Sequence, residues 1–121
     1  MKNIKPTESE LEILNVIWEK GAATVREVHE VLEKQKPSGY TTTLKLMQIM
    51  FEKDLLLREA SGKTHIYRAA IGKEAVQGQI VQRMIDNVFS GSAAQLVMQA
   101  LGNSSTSAEE LDEIRKYLKS L

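Results

Sequence analysis

Three helical stripes in succession, each with its own start and stop signal, give way after Lys53-Asp54 to an extended pattern, and that one change of hydrophobic period restricts the folds open to the first half of the chain. The first stripe runs through Leu11, Leu14, Ile17 and Trp18 and is widened by Ile13 and Val16. Thr7, three residues before Glu10, makes a capping box in which each side chain satisfies an N–H that the helix leaves unpaired, and Gly21 is placed to stop the helix. Trp18 falls on the stripe and is expected in the core. A second box, Thr24 with Glu27, precedes Val25, Val28, Val31 and Leu32. That helix should end before Pro37, because a residue preceding proline avoids the helical region. From Tyr40 a third helix places Leu44, Met47, Met50 and Phe51 on one face and Thr41, Thr42, Lys45 and Gln48 on another. Its consecutive threonines are poor helix interior but acceptable in a first turn.

Leu55-Leu56-Leu57-Arg58 then reads as a strand, Ala60-Ser61-Gly62-Lys63 as a tight turn, and Thr64-His65-Ile66-Tyr67-Arg68 as the returning strand. Helix, helix, helix, hairpin is the element order of a winged helix-turn-helix. The expected fold class is therefore mainly α with a small β-hairpin wing, residues 1–70 forming a DNA-binding domain. Residues 71–121 read as three amphipathic helices, expected over 73–89, 92–101 and 107–121, with Gly78 interrupting the first and a third capping box, Ser107 with Glu110, opening the last. A unit of about 50 residues is marginal on its own by surface-to-volume scaling, so its apolar faces require a partner. A second copy of the chain is the commonest solution. Ile80, Met84, Leu96, Val97, Leu111, Ile114 and Leu118 are the candidate seam of this helical dimerisation domain.

The charge balance, 16 Lys+Arg against 16 Asp+Glu, is uninformative until it is resolved by segment. Between residues 38 and 68 the bases Lys45, Lys53, Arg58, Lys63 and Arg68 face only Glu52, Asp54 and Glu59, the local excess to which a phosphate backbone responds. Thr41, Thr42 and Lys45 suit the start of a reading helix: a threonine offers a methyl to thymine and a hydroxyl to a base or phosphate, while a lysine one turn on reaches guanine acceptors. Lys63 at the hairpin tip is a candidate phosphate contact.

No constellation for catalysis accompanies this pattern. His29 and His65 have no second ligand at metal spacing, the 7 glycines are scattered singly, no serine occupies a nucleophile elbow, and the chain has 0 Cys. The acidic pairs Glu8/Glu12 and Glu109/Glu113 stand at helix starts, where the helix dipole alone favours them. A non-enzyme without metal or cofactor is expected. The absence of cysteine suits a reducing compartment, and no apolar signal segment or spanning stretch is present, so a cytoplasmic protein with no membrane partner is expected.

Five blocks in order, Pro6-Thr7-Glu8-Ser9-Glu10-Leu11-Glu12-Ile13-Leu14, Ile17-Trp18-Glu19, Ala23-Thr24-Val25-Arg26-Glu27-Val28, Gly39-Tyr40-Thr41-Thr42-Thr43-Leu44 and Phe51-Glu52-Lys53-Asp54-Leu55, resemble the penicillinase-repressor family of BlaI/MecI/CopY-type transcriptional regulators. The resemblance covers the whole chain and is most specific in the winged-helix part. It implies a homodimeric repressor, of a family that includes regulators of antibiotic resistance, bound to the two halves of a dyad-symmetric DNA operator. By position it makes Thr41, Thr42 and Lys45 the readers, with Tyr40 and Thr43 supporting, Lys63 near phosphate and Thr24 near the backbone. Resistance-gene members are inactivated by cleavage of an Asn-Phe bond in the dimerisation region; the equivalent bond here is Gln99-Ala100, so the motif is absent. The cysteine-rich metal site of copper-responsive members is absent too. A protease of different specificity, a ligand of the dimerisation domain and an unknown sensor or partner protein all stay open as the inducing route. Asp54 replaces a glycine common in the family and is expected to keep the turn in a left-handed conformation. The reading from a different class is a winged-helix protein–protein interaction module, which would show neither sequence preference nor a steep salt dependence.

Overall fold

The computed structural model describes residues 5–103 and 105–121, so the first four positions of the expected 1–70 domain, and Ser104 in the second, lie outside it. The chain divides between Gln77 and Gly78 into two compact units. Ile71 and Val76, beyond the expected 70/71 boundary, thus belong with the first.

Helices α1 (Glu8–Lys20), α2 (Val25–Gln35) and α3 (Tyr40–Glu52) precede a hairpin of β1 (Leu56–Ser61) and β2 (Thr64–Ala69). Both expected capping boxes form: Thr7 and Thr24 each accept from the N–H three residues on, while Glu10 and Glu27 each accept from the capping residue's own N–H. Gly21 ends α1 with φ 83, and α2 stops at Gln35 with Lys36 extended ahead of Pro37. These helices close over one core of Ile13, Leu14, Ile17, Val28, Met47, Met50, Leu56 and Tyr67, all buried. The link between α1 and α2 also joins the wing, because Ala23 exchanges both backbone hydrogen bonds with Tyr67, at 3.0 and 2.8 Å. Trp18 is only partly buried, on the rim of this core rather than inside it. Its Nε1 donates to the Ile71 carbonyl at 3.0 Å, a polar need that keeps the indole at the edge.

Two details of the hairpin differ from expectation. Leu55 is buried but precedes β1, and Ala60 and Ser61 pair with His65 and Thr64, so the turn shrinks to Gly62-Lys63. Gly62 takes φ 63 at the first turn position, which a type II′ hairpin reserves for glycine. Asp54, with φ 63, adopts the expected left-handed conformation between α3 and the wing.

In the second part, α4 (Lys73–Asn87), α5 (Ala93–Asn103) and α6 (Ala108–Ser120) follow. Helix α4 ends before the expected Phe89, where Ser90 (φ 52) and Gly91 (φ 88) turn the chain. Ser107 caps α6 by accepting from Glu110 N–H, but the Glu110 carboxylate meets the Ser107 hydroxyl at 3.5 Å, so that box closes on one side. No residue of α5 or α6 is buried, and Val81, Met84, Val88, Val97, Met98, Tyr117 and Leu118 are exposed. Among the described residues no helix is long and apolar enough to cross a membrane.

Candidate nucleic-acid interface

Helix α3 presents two sharply different sides. Thr43, Met47 and Met50 are buried, whereas Thr41, Thr42, Lys45 and Gln48 are exposed. Thr41 and Lys45 lie one turn apart and Gln48 the next, so they share the side away from the core. The spacing of apolar residues had set that face correctly, but not the place of Thr43. It is 2 % exposed, and its Oγ1 lies 3.3 Å from His29 Nδ1, so its place is beneath the surface of α3 and not on it.

Beside this face runs a groove lined by Thr24, which caps α2, Arg26 of α2, Tyr40 and Gln48 of α3, and Lys63 and His65 of the wing. It joins three of the expected residues, Thr24, Tyr40 and Lys63. Thr42 lies apart, in a hollow with Ser9, Glu12 and Lys36. Thr24 is itself occupied by its capping box, its hydroxyl accepting from Glu27 N–H at 3.2 Å. The Thr24 N–H and hydroxyl hold the Glu27 carboxyl below its usual range, so the helix start already carries one negative charge. What remains for an anion there is the N–H pair of Val25 and Arg26, which a helix cannot satisfy internally.

The local positive excess is smaller than counting suggests. Lys53 forms an ion pair with buried Glu10, which removes one base from that excess, while exposed Arg58 keeps its charge with the guanidinium 4.0 Å over the Phe51 ring. Lys45, Lys63 and Arg26 form no ion pair with a described residue, and they bracket the exposed side of α3 and its groove. Arg26, Gln48 and His65 were not singled out from the sequence as site residues. Arg26 was within reach of the argument, since it is the second residue after a helix cap, whereas placing His65 requires the wing's register and packing. Among the described residues no group of His, Asp and Glu is arranged to hold a metal.

The residues assigned to the seam lie on α4 (Ile80, Met84), α5 (Leu96, Val97) and α6 (Leu111, Ile114, Leu118), and each is at least partly exposed. Gln99 and Ala100 lie inside α5, both exposed.

The family model described as penicillinase repressor matches residues 6–120. A penicillinase repressor of Staphylococcus aureus is 20% identical over 120 residues, covering 99% of this chain and 95% of its own. The methicillin resistance regulatory protein MecI of S. aureus strain N315 is 23% identical over 117 residues, 97% of this chain and 95% of that one. The transcriptional regulator BlaI of Mycobacterium tuberculosis is 28% identical over 111 residues, 90% and 79% respectively. Among solved structures, a mutant of MarR from E. coli complexed with operator DNA matches 94% of this chain and 74% of that one, with TM-score 0.55 and 15% identity, a likeness of fold.

Proposed function

This chain belongs to the penicillinase repressor family, a DNA-binding transcriptional repressor with a winged helix, and we propose that it acts as a cytoplasmic homodimer on a dyad-symmetric operator overlapping a promoter. Helix α3 enters the major groove, with Thr41, Thr42, Lys45 and Gln48 toward base edges, while Lys63 and Arg26 meet the phosphates on either side. The observation that carries this reading is the uncompensated trio Arg26, Lys45 and Lys63 set around the exposed polar side of α3.

The second chain covers the stripes of α4 to α6. Their exposed apolar residues support this. Release from DNA follows a signal acting on the tail; if it is proteolytic, the bond equivalent to the family's cleavage site is Gln99-Ala100.

Selection of bound duplexes from a random library by the full-length chain, followed by a salt titration on the selected sequence, tests the reading. A twofold-symmetric site with half-sites about one helical turn apart and a steep salt slope is expected. Enrichment of no sequence would overturn it in favour of protein docking through α3.

A further inference from the structure

We infer that His29 is a positioning residue for operator reading, holding the first turn of α3 from the neighbouring helix α2. The inference rests on the reading above that α3 reads DNA.

That first turn needs an outside support. Helices α1, α2 and α6 begin on a side-chain cap, whereas α3 begins on Gly39, which supplies no side-chain hydrogen bond. The turn is also built from Tyr40, Thr41, Thr42 and Thr43, residue types that favour a helix weakly. His29 holds this turn through its side chains rather than through its backbone N–H groups. Its Nδ1 lies 3.3 Å from Thr43 Oγ1, and its ring meets the Tyr40 ring edge-on with centroids 5.6 Å apart and planes at 84°. Its Nε2 stands 3.4 Å from Glu33 Oε2, one turn along α2. A carboxylate only accepts, so Glu33 favours the tautomer protonated at Nε2, leaving Nδ1 to accept from the Thr43 hydroxyl. The His29 side chain is 12% exposed, so the ring is confined to this geometry. Tyr40 carries the constraint outward, because the same ring lines the groove with Arg26 and Lys63. Thr41 and Thr42 lie between the two clamped residues along the chain, so the same contacts fix the backbone from which their exposed side chains project.

A residue of this kind sets discrimination between duplexes more than general attraction to DNA. The test compares full-length wild type, Thr43→Val, His29→Leu, their double variant and His29→Asn, each titrated against the wild-type-selected duplex and a scrambled one, with thermal unfolding followed in parallel. Thr43→Val keeps side-chain shape and removes only the hydroxyl, so it remains informative even where His29→Leu perturbs folding. Thr43→Val and His29→Leu should each weaken binding to the selected duplex by about fivefold to tenfold, the scale of one net hydrogen bond, and leave the scrambled duplex within about twofold. The double variant should lose little more than the worse single one. His29→Asn, whose amide replaces Nδ1, should recover much of the discrimination. Equal losses on both duplexes, additive losses, or an asparagine no better than leucine would overturn the inference while leaving the repressor reading intact. A wild type that enriches no duplex would overturn both.

Discussion

Lys53, at the C-terminal end of α3, places its Nζ 2.9 Å from Oε2 and 3.0 Å from Oε1 of Glu10 in the first turn of α1. Glu10 is 2 % exposed and also closes the capping box with Thr7, so one carboxylate caps the start of α1 and anchors the end of α3. Helix α3 is thereby held at both ends, by His29 at its start and by Glu10 at its finish.

Replacing Lys53 with Met leaves a buried carboxylate short of its cation. A cost of about 2 kcal/mol is expected, less than for a wholly buried pair because the lysine side chain is 44% exposed. Urea unfolding should show a lower midpoint at unchanged slope. A shift under about 0.5 kcal/mol would mean that water replaces the ammonium without loss.

The same pair sets an acid limit. Burial of Glu10 opposes its ionisation, but hydrogen bonds from Lys53 and Thr7 outweigh that and hold the carboxyl below its usual range. A depressed folded value gives stability that is present above the ordinary glutamate value of about 4.3 and is lost as pH falls through the folded one. Denaturation across this acid range should show a downward slope that is shallower in Lys53→Met, and parallel profiles would exclude the pair as its origin.

Lys45 and Lys63 should fail in different ways. Lys45→Ala is expected to relax preference at one base pair per half-site, at about 1–3 kcal/mol, as for a base-edge contact. Lys63→Ala should weaken all sequences about equally and flatten the salt slope, and Arg26→Ala should follow it. Competition titrations on selected and scrambled duplexes at several salt concentrations separate these cases. An unchanged preference in Lys45→Ala would remove that residue from the readers.

Introducing Asp at both Ile114 and Leu118 of α6 puts charge into the proposed seam, where it has no partner. Light scattering should report a monomer, and DNA titration weak half-site binding. A variant that stays dimeric would place the seam on other residues.

What the sequence made legible was local. Capping boxes at Thr7 and Thr24, the stop before Pro37 and the two sides of α3 depend on residues three or four apart, and the structure places them as expected. The missing relationships join distant parts of the chain. Glu10 withdraws Lys53 from the charge count, Ala23 pairs with Tyr67, and His29 draws Thr43 inward, and in none of these does spacing reveal the partner. Turn length failed for a related reason: Ala60 and Ser61 suit a loop by type, but cross-strand pairing with His65 and Thr64 extends the strand through them.

No side chain of α5 is fully buried within one chain, Leu96 and Leu101 being only partly covered, so much of the resistance to its unwinding comes from its own backbone bonds. A protease needs extended backbone, and the rate at which it cuts α5 follows the unwound population while opening and closing are fast. A second chain lying on Leu96 and Val97 would stabilise the wound form, so turnover would slow as the concentration of chains rises. On the proposed dimer, such a repressor would be degraded fastest when scarce, which would make its abundance self-sharpening: a falling pool would accelerate its own disappearance.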